Sequence, residues 1–279
     1  MQGNMNRSRL AHALLPQIAN ELGTEIHILS EPPRDIEMPM YIVNDSQTAA
    51  LWIRGDSATR VAARGVGEDH IWATVGRVTF VSVYLTPNCA AEEFARKLAA
   101  LEDAIRDIRE RTGGGVIVAG DVNARAIEWG MPVTNSRGRL LLDMAARLDL
   151  AVANMGETPT FRSRNGRQGS SIPDVTFASI PLDATIRRRW RVIEDYTGSD
   201  HQYIVFDTTD DRPRNRRGPT PTRWNIRKLD KDELYRQLTN AVAPLARLTQ
   251  NSEGSVGAER LAEETEGFLR ELCDYSMPK

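Results

Sequence analysis

Cysteine is scarce in this 279-residue chain. Only Cys89 and Cys273 occur, far apart and outside any Cys-x-x-Cys or His-rich spacing, which argues against a disulfide framework and a zinc site and fits a reducing compartment. Long apolar runs are missing as well: none approaches the ~18 residues a membrane span needs, and the opening Met1-Gln2-Gly3-Asn4 has neither the basic nor the apolar region of a secretion signal. A soluble intracellular protein without a membrane partner is expected. Nor does one sign of charge dominate. Against 38 Asp and Glu stand 36 Lys and Arg, a net charge of -2, whereas a domain that coats phosphates usually carries a basic surplus. No internal repeat is visible.

What the chain does have is enough apolar material, 41% of its residues, for the core of one large α/β domain. Asn6 is placed to cap a helix whose Leu10, Leu14, Ile18 and Leu22 recur near the helical period, with Gly23 as its stop. A short apolar strand, 25–30, follows and leaves Glu31 at its end before Pro32-Pro33. Segments 49–54, 71–75 and 77–85 read as a meander with a tight turn at Gly76. Phe94, Leu98, Leu101, Ile105 and Ile108 give a helix over 91–111 one apolar face; glycines 113–115 end it, and 116–119 reads as a buried strand. A helix over 138–148 with Ser136 as cap, and strands near 150–153, 174–178, 185–193 and 203–206, complete the pattern. Strands alternating with helices predict a layered α/β sandwich over residues 1–207. Beyond Asp207 the chain turns polar, with Pro213, Pro219 and Pro221 among arginines. Residues 208–222 therefore read as a linker, and 223–279 as a helical segment with periodic patterns at 232–248 and 258–273.

Chemistry-bearing residues concentrate in Gly120-Asp121-Val122-Asn123 and Gly198-Ser199-Asp200-His201, each placed beyond an apolar run. Carboxylates, an amide and an imidazole at strand ends suit phosphodiester cleavage, which needs a hard cation, an oriented water and a proton-sharing side chain. Asn4, Asn6, Glu31, Tyr84 and Asp174 fall at other strand ends, where functional groups collect in layered α/β folds. Taken singly, each has an ordinary explanation. Asp121 and Asp200 read as turn aspartates, His201 as a surface or core histidine, Asn4 and Asn6 as helix caps, and Tyr84 as a core residue with a tethered hydroxyl. The arginine clusters at 187–191, at 212–217 and at Arg162, Arg164 and Arg167 read equally well as solvated edges.

The order of the whole set distinguishes it from such accidents. Asn4-Met5-Asn6-Arg7-Ser8-Arg9, Ser30-Glu31-Pro32, Val83-Tyr84-Leu85-Thr86-Pro87-Asn88, Gly120-Asp121-Val122-Asn123-Ala124, Trp129-Gly130, Ser171-Ile172-Pro173-Asp174-Val175-Thr176-Phe177 and Gly198-Ser199-Asp200-His201 follow one another in sequence. The chain thereby resembles the endonuclease/exonuclease/phosphatase superfamily and, more narrowly, the endonuclease domain of non-LTR (LINE-type) retrotransposon polyproteins. The resemblance spans nearly all of residues 1–207. It implies a four-layer α/β sandwich of two packed mixed β-sheets flanked by helices. It also implies a Mg2+- or Mn2+-dependent nuclear enzyme that nicks one strand of duplex DNA, leaving a 3′-hydroxyl for a covalently linked reverse transcriptase. Carried over by position, Glu31 with Asn4, Asn6 and Asp200 looks like the metal site, and Asn4, Tyr84, Asn123 and Ser199 look like phosphate contacts. Asp121 looks like the group that deprotonates water, Asn123 its helper, Asp174 with His201 a carboxylate–imidazole pair, and Asp200 and Tyr84 further catalytic groups. Segment 162–169 looks like a hairpin that probes a DNA groove through Arg162, Arg164 and Arg167, with Arg125 a further DNA contact. An apurinic-site nuclease or phosphatase of the same superfamily, and a binding module without catalysis, are the rival readings.

Two positions depart from the family pattern. The chain starts only a few residues before Asn4, so a clipped first strand is expected. Pro173 stands before Asp174 where an aliphatic residue is expected, so Asp174 either opens its strand or is displaced.

Overall fold

Side-chain alternation along the strands decides the layering. In the computed structural model, which describes residues 1–36, 38–163, 169–208, 229–250 and 255–277, the chain forms two compact units, Met1–Arg212 and Pro213–Lys279. The first unit holds two six-stranded sheets. One runs β13 (Arg191–Ile193), β14 (Tyr203–Val205), β1 (Gln2–Asn4), β2 (Ile26–Ser30), β4 (Ala49–Ile53), β3 (Tyr41–Val43). The other runs β5 (Val61–Val66), β6 (His70–Val75), β7 (Val78–Tyr84), β8 (Gly115–Asp121), β12 (Asp174–Ser179), β9 (Leu150–Val152). A small hairpin pairs β10 (Phe161–Arg162) with β11 (Ser170–Ser171). Both large sheets are mixed: β1 lies parallel to β2 and β7 parallel to β8, while β12 runs antiparallel to β8.

In β8, Val116 and Val118 face a core under α2 (Ala91–Thr112) and α3 (Ser136–Arg147), whereas Ile117 and Ala119 face the opposite sheet. In β4, Ala49, Leu51 and Ile53 join that inter-sheet core, and Ala50 and Trp52 pack with Leu29 under α1 (Arg9–Leu22). Three cores between four layers make this the four-layer sandwich. Because each fully buried Val, Leu, Ile or Phe contributes ~1.5–3 kcal/mol, these cores set the stability and the polar links set the register. Ser82 Oγ donates to Leu29 O (2.9 Å), Ser30 Oγ donates to Val83 O (3.2 Å), and the Asp121 N–H donates to Ser30 Oγ (3.1 Å). Gln2 bridges the other pair of strands, donating to Val175 O (3.2 Å) and accepting from Thr176 Oγ1 (2.7 Å).

Several local expectations change. Ser8, not Asn6, caps α1, its Oγ accepting from the Ala11 N–H; Asn6 has φ 45 and belongs to the turn before it. The later start rotates the buried stripe to Ala11, Leu15 and Ala19, leaving Leu10 50% exposed. Asn135, not Ser136, caps α3. The strand expected at 185–193 is largely α4 (Ile180–Arg189): Pro181 fits its first turn and Arg187, Arg188 and Arg189 complement the dipole of its last. Asp174 opens β12, so Pro173 needs no N–H and only accepts, from the Val122 N–H at 3.0 Å. β1 is short but wholly buried.

In the second unit, α5 (Lys231–Gln250) and α6 (Ser255–Ser276) form a helical pair. Asp230 accepts from the N–H groups of Asp232 and Glu233 at the start of α5. From residue 209 on, the expected linker 208–222 lies outside the described residues, as do 223–228. Among the described residues no helix is long and apolar enough to cross a membrane.

Gly120 tests the inter-strand register. A Cβ there would stand 1.8 Å from Val83 O on the adjacent strand, a backbone clash that no rotamer relieves. Gly120→Ala is expected to cost at least ~3 kcal/mol, read as a lowered urea midpoint; an unchanged midpoint would show that β7 and β8 can part freely.

Candidate active site

The parallel pairs β1/β2 and β7/β8 end at one edge of the sandwich and deliver Asn4, Glu31, Tyr84 and Asp121 there. β12 starts at the same edge, with Asp174 in register with Asp121. The loop before β14 adds Ser199, Asp200 and His201. Gly198 can pack against Ala11 only because it lacks a side chain: a Cβ would lie 2.8 Å from Ala11 N. Asn6, Glu31, Tyr84, Asp121, Asn123, Asp200 and His201, with Phe161 and Pro173 among others, line one cavity of about 400 Å³.

Hydrogen bonds fix each group. Asn4 Nδ2 donates to Asp121 Oδ2 (2.8 Å) and Glu31 Oε2 (3.1 Å), so one amide bridges two carboxylates, while its oxygen accepts from the Asn6 N–H (2.7 Å). Asp121 Oδ1 accepts from the Asn123 N–H (3.0 Å), and Asn123 Nδ2 donates to Leu85 O (3.1 Å). His201 Nδ1 pairs with Asp174 Oδ2 at 2.8 Å, and its Nε2 lies 4.0 Å from Asp121 Oδ2. The same Asp174 oxygen accepts from Thr160 Oγ1 (2.7 Å). Asn6 Nδ2 holds both oxygens of Asp200 at 2.9 Å, and Ser199 Oγ donates to Asn4 O (2.9 Å). Asn6, Glu31 and Asn123 all sit in left-handed backbone, φ 45, 45 and 46, the kind of local strain that concentrates at functional sites.

Burial and like charge act together on the titratable groups. Desolvation, then the neighbouring Asp174, push the Asp121 carboxyl up to about 7, against His201 and the Asn4 and Asn123 donors, which pull it down. Desolvation alone would lower His201, but Asp174, by charge and hydrogen bond, followed by Asp121 and Asp200, raises it to about 9. Burial, then the nearby Glu31 and Asp121 carboxylates, raise the Tyr84 hydroxyl. The cavity therefore presents, near neutral pH, a carboxylate close to its own pKa beside a charged imidazole.

Asp121, Asp174 and His201 offer ligand atoms all within 4.8 Å of one another, a grouping able to hold a metal ion. His201 Nδ1 is already engaged by Asp174, whereas Glu31 and Asp200 are carboxylates of the same cavity outside that pair. The donors are mainly hard oxygens, and among the described residues Asp174 Oδ1 is buried with no partner; both facts fit a hard divalent cation.

Of the DNA-contact candidates, Arg162 and Arg125 are exposed, and the Arg162 N–H donates to Asp200 O (3.0 Å), which brings its backbone to the cavity rim. Arg164 and Arg167 lie outside the described residues. The sequence assigns no role to the supports: Thr160 on Asp174, Asn154 donating to Asp174 O (3.0 Å), Ser30 under Asp121, and Phe161, whose ring centroid lies 5.1 Å from that of His201. Only Thr160-Phe161, next to the arginine segment, carried a local signal.

The ion pair is directly measurable. In the metal-free chain the His201 ring is expected to titrate near 9, and in Asp174→Asn to fall to or below the ordinary ~6.5, because burial then acts without its main counter-charge. Two-dimensional NMR of the histidine ring protons reads both; a ring already at ~6.5 in the unaltered chain contradicts the pairing.

Residues 78–205 match the endonuclease-reverse transcriptase family. The RNA-directed DNA polymerase from mobile element jockey of Drosophila melanogaster is 34% identical over 160 residues, covering 52% of this chain and 16% of that polymerase. The endonuclease domain of TRAS1, a telomere-specific non-LTR retrotransposon, has the same fold, with a TM-score of 0.61 at 26% identity over 76% of this chain and 98% of that one. A 3′-5′ exonuclease from Neisseria meningitidis shares the fold at a TM-score of 0.56 and 19% identity, over 74% of this chain and 98% of its own. With that fold, that motif order and these carboxylates gathered round one imidazole, the chain is similar over residues 78–205 to the endonuclease-reverse transcriptase family and shares the fold of a retrotransposon endonuclease domain.

Proposed function

We propose that this chain is a Mg2+- or Mn2+-dependent endonuclease that nicks one strand of duplex DNA in the nucleus and leaves a 3′-hydroxyl for a covalently linked reverse transcriptase. The observation that carries the reading is the single cavity in which Glu31, Asp121, Asn123, Asp200 and His201 meet. The family match and the jockey polymerase, of which this chain spans 16%, support the link to a reverse transcriptase. The helical unit beyond residue 223 is then the connecting segment toward that polymerase.

Each group has a role that its surroundings permit. Asp121, in its ionised form and aimed by Asn4 and Asn123, takes the proton of the attacking water. Asn123 and Tyr84 contact the phosphate or that water, and Ser199 supports the loop that presents Asp200. His201, kept cationic by Asp174, stabilises the charge that builds on the phosphorus oxygens. Glu31 and Asp200 are the carboxylates that would hold the cation; Asn4, whose amide bridges Glu31 and Asp121, positions them, and Asn6 does the same for Asp200. When bound, the cation supplies Lewis-acid polarisation of the scissile phosphate. Arg162 and Arg125 supply backbone contacts to DNA.

A supercoiled-plasmid assay tests this. The chain with Mg2+ is expected to produce open circles that a polymerase can extend, EDTA to abolish them, and Asp121→Ala or His201→Ala to slow nicking by roughly 10²–10⁴-fold. Turnover of an abasic duplex or a phosphomonoester without nicking of intact DNA moves the protein to another branch of its superfamily. Metal-independent DNA binding without any cleavage makes it a binding module.

The pH profile of nicking follows from the same charges. Rate rises as Asp121, raised by burial and Asp174, deprotonates and falls as His201, raised by Asp174, loses its proton, giving a bell. Asp174 raises both groups, so Asp174→Asn is expected to move both limbs to lower pH as well as to lower the maximum. Limbs that stay in place would uncouple Asp174 from the chemistry.

A further inference from the structure

Beside the catalytic cavity lies a second hollow of about 430 Å³, lined by Arg162, Tyr196, Ser199, Asp200 and Gln202. Asp200 lines both, so they share one wall. Tyr196 is 72% exposed and adds nothing to the core. Its loop is nevertheless held on several sides. With its amide nitrogen turned toward them, Gln202 donates to the carbonyls of Ile193 (2.8 Å) and Asp195 (3.0 Å). Thr197 Oγ1 donates to His201 O (2.7 Å) and accepts from the Ser199 N–H (3.2 Å), and Gly198 is clamped between Ala11 and the Ser8 hydroxyl. Lining the same hollow, Arg162 keeps over half of its side chain in solvent and, among the described residues, its guanidinium meets Glu194 loosely, at 3.9 Å; its N–H is fixed to Asp200 O.

A wet aromatic ring on an anchored loop, sharing a hollow with a guanidinium and one carboxylate away from the neighbouring cavity, has the chemistry of a nucleotide subsite. A base stacks on the ring whatever its identity, and the adjoining phosphate pairs with the guanidinium. The volume suits a small-ligand site, about 300–1,000 Å³, and the fixed loop lowers the entropy lost on binding. We propose that Tyr196 and Arg162 form a stacking subsite for a nucleotide adjoining the scissile phosphate, on the far side of the wall that Asp200 lends to both hollows. The assignment rests on the endonuclease reading of the neighbouring cavity. Tyr196 grips this nucleotide by its face, so the subsite holds the cleaved strand in place without selecting its sequence.

The full chain, with duplex oligonucleotides in which single bases around the nick are replaced by a tetrahydrofuran spacer, provides the test. Removing the stacked base is expected to lower kcat/KM roughly ten-fold at one position. Tyr196→Ala is expected to cause the same loss on the intact duplex and to make that position indifferent to the spacer, while Tyr196→Trp retains both. Arg162→Ala should weaken binding to all sequences and flatten its salt dependence by about one phosphate contact. Thermal melting of the variants reports their folding, and Tyr196, being exposed, leaves it unchanged. If Tyr196→Ala and the unaltered chain respond alike to the spacer at every position, the subsite is overturned. Should the unaltered chain nick nothing, fluorescence anisotropy with the same duplexes separates the two ideas: base-dependent binding lost in Tyr196→Ala keeps the subsite while the endonuclease reading falls, and binding indifferent to both changes overturns the subsite as well.

Discussion

Two carboxylates, Asp121 and Asp174, stand in register across an antiparallel strand pair, 3% and 0% exposed. In such a place two negative charges repel with little water to screen them: at an effective dielectric near 20, unit charges ~4 Å apart interact by about 4 kcal/mol. The arrangement persists because a cation is set between them. His201 Nδ1 meets Asp174 at 2.8 Å while Nε2 faces Asp121 at 4.0 Å. Asn4, the Asn123 N–H and Thr160 fill other lone pairs. The electrostatics of the site follow from this balance, since burial and then the repulsion of Asp174 raise Asp121, while the attraction of the carboxylates raises His201 against its burial.

That balance needs a scaffold that does not relax. The parallel pairs β1/β2 and β7/β8 end together because the Ser30 hydroxyl joins Val83 O to the Asp121 N–H, and because Gly120 allows the two backbones to approach. Side chains that leave the strand ends must then turn sharply, and Asn6, Glu31 and Asn123 do so through left-handed backbone. Each such residue costs about 1–3 kcal/mol. The inter-sheet core behind them, with Ile28, Leu51, Ile71, Phe80 and Ile117 at its centre, is large enough to hold that strain in place. Stability lies in the apolar layers and function in the polar edge, and the serine and glycine links transmit one to the other.

Much of the fold was legible before any coordinates. Fully buried strands, such as those at 116–119 and 49–54, are legible close to their observed bounds, because short continuous apolar runs between turn residues are too short for a buried helix. Elements decided by local capping were less so. Asn6 and Ser8 are both competent caps two residues apart, and only the packing of Ala11 against Gly198 selects the second. Segment 185–193 has enough Ile, Trp and Val to read as a strand, yet Pro181 and the arginines of its last turn favour the helix found there. β3, β5 and the hairpin strands β10 and β11 are short or exposed and carry little apolar signal, although each pairs with the next strand along the chain.

The site divides in the same way. Residue types and their order by themselves determined that carboxylates, amides and a histidine occur at successive strand ends, which is enough to name a phosphodiester chemistry, because few other reactions call for that set. Distance, however, is a property of the folded sheets alone. Whether Asn4 reaches both Glu31 and Asp121, whether Thr160 and Asn154 hold Asp174, and whether Tyr196 stands free beside Asp200 depend on contacts between residues up to 117 positions apart. Local pattern cannot encode such contacts, since they arise only when two mixed sheets pack face to face and their parallel strands run out at one edge.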